Sequence, residues 1–115
     1  MDMNNAFYIK RGDTLPALTA TLYKADMTTP VDLTDATVVL QMRTRKGEHL
    51  LDGDCEVLDP IGGRVRYEWQ EGDTDIIGLH RAEFKITSND GVATAPNYGF
   101  FTVNIGDDIR VTVEE

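Results

Sequence analysis

The sequence predicts an all-β protein folded as a sandwich of two sheets. Apolar residues recur with period two along nearly the whole chain, and β-branched and aromatic residues fill the runs between clusters of Gly, Asp, Pro and Asn. Turn signals recur about every 8–12 residues, which is typical of a sandwich with about six to eight short strands. A closed barrel is the less favoured alternative. No run is long and periodic enough to predict a helix of three turns.

The first half of the chain predicts three strands. Residues 6–10 form the first strand, the second begins at Pro16, and the third spans 37–45 and ends at a turn over 46–48. Residues 25–36 form a polar loop that holds two apolar side chains. Alternation directs one face of each strand toward a core. The residues of this half that are predicted to face inward are Leu18, Ala20, Leu22, Val31, Leu33, Val38, Leu40 and Met42.

The second half predicts two hairpins and a last strand. Strands over 55–58 and 64–69 flank a Pro-Ile-Gly-Gly turn and are expected to pair with each other. The strand over 78–87 ends at the hairpin signal Asn-Asp-Gly at 89–91, and the last strand spans about 98–105. The residues of this half that are predicted to face inward are Val65, Tyr67, Trp69, His80, Ala82, Phe84 and Ile86.

The length of 115 residues fits a single domain. With 41% hydrophobic and 27% charged residues, the composition is that of an ordinary globular protein rather than a disordered or fibrous chain. Residues 1–105 are predicted to form the sandwich domain. Residues 106–115 are predicted to form an acidic tail or an added strand, because Ile109, Val111 and Val113 alternate with polar residues.

The charge and the N-terminus exclude several classes of function. With 11 basic and 20 acidic residues the net charge is −9, which repels a phosphate backbone, so we expect no nucleic-acid partner and no membrane partner. The first ten residues lack the basic start and apolar run of a signal peptide, so we expect synthesis in the cytoplasm. The single cysteine, Cys55, excludes a disulfide within the chain.

Two histidines and the cysteine are candidates for catalysis or metal binding, but none has the sequence neighbours that such chemistry needs. His49 and His80 have no second histidine or cysteine at metal-ligand spacing, which argues against a zinc site. His49 is interpreted as a solvated loop residue and His80 as a hydrogen-bonded, partly buried imidazole. Asp54 and Glu56 flank Cys55 and would raise the pKa of its thiol, so we interpret Cys55 as a core or strand residue rather than a nucleophile.

Two carboxylate clusters are the remaining candidates for a cation site. Neither matches the Asp-x-Asp-x-Asp-Gly pattern of a calcium loop, and hairpin turns explain both, with bound calcium as the minor alternative. We therefore predict no metal, no cofactor and no catalytic residue. The clusters are Asp52, Asp54, Glu56 and Asp59 around Gly53, and Asp73 with Asp75.

A series of motifs, in this order and spacing, is similar to a known family. They lie at residues 7–16 (FYIKRGDTLP), 22–23, 30–34 (PVDLT), 36, 63–69 (GRVRYEW), 72–74 (GDT), 78–84 (GLHRAEF) and 101–105 (FTVNI). Together they resemble the immunoglobulin-like N-terminal domain of phage baseplate upper proteins. The likeness covers about residues 5–105 and implies an immunoglobulin-like two-sheet sandwich.

The resemblance implies a virion structural role without catalysis. A domain of this kind would be an adaptor that docks on a phage tail or baseplate, with other tail or baseplate proteins as partners and with room for a homo-oligomer in the assembly. The segments best placed to pair with a neighbour are the strand over 6–10 and the tail over 109–113. The alternative is a carbohydrate-binding sandwich module that uses Tyr67, Trp69 or Tyr98 on an exposed face.

One site departs from the usual immunoglobulin pattern. At the corner that enters strand F, such folds usually carry a tyrosine two residues before a cysteine, and the tyrosine hydroxyl binds the backbone upstream. His80 and Ala82 stand at these two places. The sequence therefore predicts neither the tyrosine hydrogen bond of the corner nor the inter-sheet disulfide, and apolar side chains can fill the space of that disulfide.

Overall fold

The structure, a computed structural model, describes residues 6–96 and 99–107, apart from the side chain of His49. Within these residues the chain forms nine strands and no helix, so the predicted all-β class is confirmed. The strands are β1 (Ala6–Lys10), β2 (Leu18–Thr21), β3 (Thr37–Thr44), β4 (His49–Asp54), β5 (Glu56–Asp59), β6 (Arg64–Tyr67), β7 (Gly78–Ser88), β8 (Gly91–Ala95) and β9 (Phe101–Gly106).

The strands form two sheets that pack face to face. Sheet A has the order β1-β9-β7-β3-β4, and β8 pairs with the far half of β7, beyond β9; sheet B has the order β2-β6-β5. β1 runs parallel to β9, and the other pairs are antiparallel. Sheet B thus corresponds to immunoglobulin strands B, E and D, and β3, β7 and β9 to C, F and G. The predicted immunoglobulin-like sandwich is confirmed.

The core lies between the two sheets and contains the side chains that alternation places there. Leu40 on sheet A and Val65 on sheet B are both fully buried. A register error of one residue would have exposed the whole predicted face, so the face assignment is confirmed. The nine core residues on which this depends, none more than 5% exposed, are Leu18, Leu22, Leu40, Met42, Val65, Tyr67, Trp69, Phe84 and Ile86.

Both predicted hairpins are present. β5 and β6 are antiparallel, with Val57 opposite Val65. β7 and β8 pair with Ser88 opposite Gly91, so the connecting loop consists of two residues, Asn89 and Asp90. Short loops with Asn, Asp and Gly match the twist of the flanking strands, which is why these turns could be located from sequence.

The sequence prediction lacks two strands and makes several others too long, such as the strand over 64–69, since β6 ends at Tyr67. The Asp-Gly-Asp segment of β4 predicts a turn, and His49, predicted to be a loop residue, is the first residue of this strand. The small residues of β8 give no clear alternation that would predict a strand. The last strand begins at Phe101 rather than near residue 98. Residues 97–98 and the predicted tail strand over 109–113 lie outside the described part of the chain.

Candidate interaction surfaces

His80 fixes the corner through which the chain enters β7. Its side chain is 2% exposed, and Nε2 lies 2.7 Å from the backbone carbonyl oxygen of Ile76. Because a carbonyl can only accept, Nε2 carries the proton and donates it. This is the bond that a tyrosine hydroxyl makes in other immunoglobulin-like corners. The interpretation of His80 as a hydrogen-bonded structural imidazole agrees with this geometry, and the buried Ala82 occupies the usual cysteine position.

Cys55 lies between β4 and β5 and is half-buried against the core. Burial is the largest cause that raises the pKa of its thiol, a backbone hydrogen bond from Leu40 opposes it, and the charge of Asp54 adds to it, so that the pKa is about 12. The predicted direction was right, but burial rather than the flanking acids is the larger cause. The thiol is therefore protonated at neutral pH.

We expect the Cys55 thiol of the folded protein to ionise near pH 12 instead of near its ordinary pKa of 9.0. Since the folded-state pKa is raised, stability from this group is present below about pH 9 and is lost as the pH rises toward 12. Alkylation by iodoacetamide at pH 8 should be much slower in the native protein than in urea. Equal rates in the two states would contradict the burial of this thiol.

Two carboxylates of the candidate cation clusters, Asp59 and Asp73, serve turns. Asp59 accepts a hydrogen bond from the backbone N–H of Gly62 at 3.1 Å. Asp73 Oδ2 accepts from the backbone N–H of Gln70 at 2.8 Å and from the hydroxyl of Tyr67 at 2.5 Å. Within the described residues, no group of three His, Cys, Asp or Glu side chains is placed to hold a metal ion.

Tyr67 and Trp69 belong to the core, which rules out the sugar-binding platform proposed for them. Tyr67 is 4% exposed and Trp69 3% exposed, and their rings meet edge to face with centroids 5.2 Å apart. Burial and the hydrogen bond to Asp73 raise the pKa of Tyr67. The third aromatic residue of that alternative, Tyr98, lies outside the described residues.

The open edges of the sheets are the first candidate surface. β1 is an edge strand of sheet A, as the sequence suggested: β9 pairs with one side of it, and no described strand pairs with the other. Tyr8 on β1 is 67% exposed, and Val92 on the edge strand β8 is 66% exposed. Edge strands of this kind present unpaired backbone groups to other chains.

Two loops at one end of the sandwich form a second candidate surface. The backbone N–H of Gly12 donates to the carbonyl of Thr74 at 3.2 Å, and the hydroxyl of Thr74 donates to the carbonyl of Asp13 at 2.9 Å. Thr74 is 1% exposed, so it joins the loops from inside, while Leu15 and Ile76 on these loops are more than half exposed. Periodicity does not predict this role for Thr74, because the residue lies in a polar stretch without alternation.

The outer face of sheet A is the third candidate surface. Arg43 on β3 and Arg81 on β7 are directly opposite each other in the register, and both are exposed. The guanidinium carbon of Arg81 lies 5.2 Å from the ring centroid of Phe100, which is 47% exposed. Alternation already pointed both arginines away from the core, but only the strand register brings them together.

The whole sandwich falls within one sequence family, since the signature of the BppU N-terminal domain matches residues 3–114. The chain belongs to the BppU N-terminal domain family. This is a family of phage baseplate upper proteins, as the resemblance predicted, and the chain is a phage baseplate structural domain. The family assigns it to the virion and to association with tail or baseplate proteins. No curated protein matches this BppU N-terminal domain.

A solved structure supports the sandwich fold of the BppU N-terminal domain. The crystal structure of CopC from Methylosinus trichosporium OB3b superposes with a TM-score of 0.54, covering 92% of this chain and 88% of that one. The two sequences are 8% identical, so the likeness shows the fold alone. In the described residues there is no helix that could span a membrane.

Proposed function

We propose that this domain is an adaptor in a phage tail or baseplate and that it works by protein–protein association without catalysing a reaction. The observation that carries the proposal is the family match, which runs along nearly the entire chain, over residues 3–114. The roles of the candidate side chains are in keeping with it. His80 fixes a corner, Asp73 closes a turn, and Cys55 is a protonated thiol, so these groups serve the fold.

We further propose how the domain is organised in the assembly. The sandwich spans residues 1–105 and is followed by an acidic tail or added strand over 106–115, of which Gly106 still belongs to β9. The partners are other tail or baseplate proteins, with room for a homo-oligomer in the assembly. The protein acts in the virion. The open edge of β1 and the loop end that carries Leu15 and Ile76 supply backbone and apolar surface for such contacts.

Deletion of residues 108–115 is expected to leave the fold intact and to weaken incorporation into particles. The cut spares Gly106, whose carbonyl accepts from the backbone N–H of Arg11 at 2.8 Å, and Asp107, which pairs with Arg11 at 3.1 Å. Quantitative mass spectrometry of purified particles measures incorporation, and thermal melting of the isolated domain is the control for folding.

Two outcomes of this measurement would contradict the proposals. If the truncated chain is incorporated as well as the full chain, the tail is not part of the interface. If purified particles never contain the full chain, the adaptor proposal is wrong.

A further inference from the structure

The outer face of sheet A carries a pair of arginines that form no ion pair within residues 6–96 and 99–107. Arg43 and Arg81 are cross-strand neighbours on the two central strands β3 and β7. Like charges in directly opposite positions of a sheet repel each other and destabilise the pairing. Among the described residues, neither guanidinium forms an ion pair with a carboxylate.

On sheet B, an arginine is neutralised by carboxylates of the same domain. Arg66 on β6 pairs with Glu56 at 2.8 Å and with Glu68 at 3.4 Å. The chain has 20 acidic residues against 11 basic ones, so carboxylates are plentiful. An arginine pair without such ion pairs, in a protein rich in carboxylates, indicates that the two guanidinium groups bind a ligand from outside the domain.

The surroundings of the pair form a receptive surface. A shallow depression of about 150 Å³ lies over it and is lined by Gln41, Arg43, Gly47, Arg81, Glu83 and Phe100, among others. The Phe100 ring restricts the guanidinium of Arg81 through contact with its face. The N–H groups lie on the edge of the guanidinium, so they can still donate to a ligand. Gln41, opposite Glu83 in the next row of the sheet, adds an amide donor.

The ligand chemistry follows from the donors. Two guanidinium groups side by side match the planar, bidentate acceptors of a carboxylate or a phosphate. The net charge of −9 repels a long polyphosphate chain from a distance, whereas a short acidic segment of a protein meets mainly the local field of the arginines. Charge complementarity therefore favours a protein carboxylate over a nucleic acid.

We propose that the Arg43–Arg81 pair, with Phe100 beside it, is a docking site for the carboxylates of an acidic segment of a partner protein. The inference rests on the proposed function for the choice of a protein partner. It deepens that function by naming the face and the chemistry of the contact, on the two middle strands of sheet A near the turn between β3 and β4.

Binding of a hexaglutamate peptide to the ¹⁵N-labelled full chain at low salt, followed by NMR, tests the proposal. Saturable shifts are expected at the amides of Arg43, Arg81 and Phe100. The double variant Arg43→Gln/Arg81→Gln should bind at least about tenfold more weakly, since two charge-assisted hydrogen-bonding groups are lost. Glu83→Gln should bind more tightly, because it removes a negative charge from the same depression.

Arg64→Gln is the matched control, because Arg64 is an exposed arginine on β6 of sheet B. It should bind the peptide as the unchanged chain does. Shifts spread over all cationic residues, equal loss in the control, or equally tight binding of oligothymidylate would overturn the proposal. Binding that appears only after removal of residues 108–115 would also overturn it, because the chain's own tail would then be the occupant. None of these results depends on whether particles contain the protein, so the two proposals fail separately.

Discussion

Replacing Trp69 with alanine is expected to lower the free energy of unfolding by about 3–5 kcal/mol. Trp69 follows the end of β6 and is 3% exposed, with its ring packed between Phe7 at 5.7 Å and Tyr67 at 5.2 Å between centroids. Its removal leaves a cavity at the point where β1 meets sheet B. Urea denaturation of the isolated domain, followed by circular dichroism, measures the loss.

Trp69→Phe is the matched control and is expected to cost less, about 1–2 kcal/mol, because the ring contacts are largely kept. The indole Nε1 is buried without a hydrogen-bond partner among the described residues, so this change breaks no hydrogen bond. A loss below about 1 kcal/mol for Trp69→Ala would contradict the core position and return Trp69 to the candidates for an exposed binding face.

The second large effect is expected at Gly63, where alanine should cost on the order of 3 kcal/mol. Gly63 has φ +70°, and an added Cβ would lie 2.8 Å from the carbonyl oxygen of Leu22 and 3.0 Å from that of Val31. Both are backbone atoms, and the backbone N–H of Leu22 donates to the carbonyl of Gly63 at 2.8 Å. Relief of the clash would therefore separate the turn before β6 from the loop that follows β2.

Gly99→Ala separates the two causes of this loss. Its φ is +78°, close to that of Gly63, but an added Cβ meets nothing within 4 Å. Only the backbone strain remains, so we expect about 1 kcal/mol. Equal losses for the two variants in urea denaturation would show that the close approach of Leu22 and Val31 to Gly63 has no energetic weight.

The core could be predicted from sequence because a strand has a period of two. Once Leu40 and Phe84 were assigned to the inner face, the alternate residues of β3 and β7 followed, and the structure buries those in the middle of both strands. The hairpin turns were equally accessible, since a two-residue loop needs particular residues. The family could be predicted for a different reason, namely that its motifs extend over nearly the whole chain.

The remaining features depend on contacts between distant segments. β4 contains Gly53, a residue typical of turns, yet an added Cβ there would clash with the Tyr67 ring, so the glycine makes room for a core tyrosine. The bond of His80 to Ile76 and the pairing of Arg43 with Arg81 depend on a corner geometry and a strand register that alternation does not specify. Interaction surfaces were therefore harder to predict than the fold.

A cryo-electron microscopy map of the intact particle tests the central claim most directly. The account predicts density for this sandwich in the tail or baseplate, with the domain in contact with other baseplate subunits through an open edge or an outer face. A well-resolved baseplate with no density for the sandwich would contradict the claim that the domain acts as a baseplate adaptor.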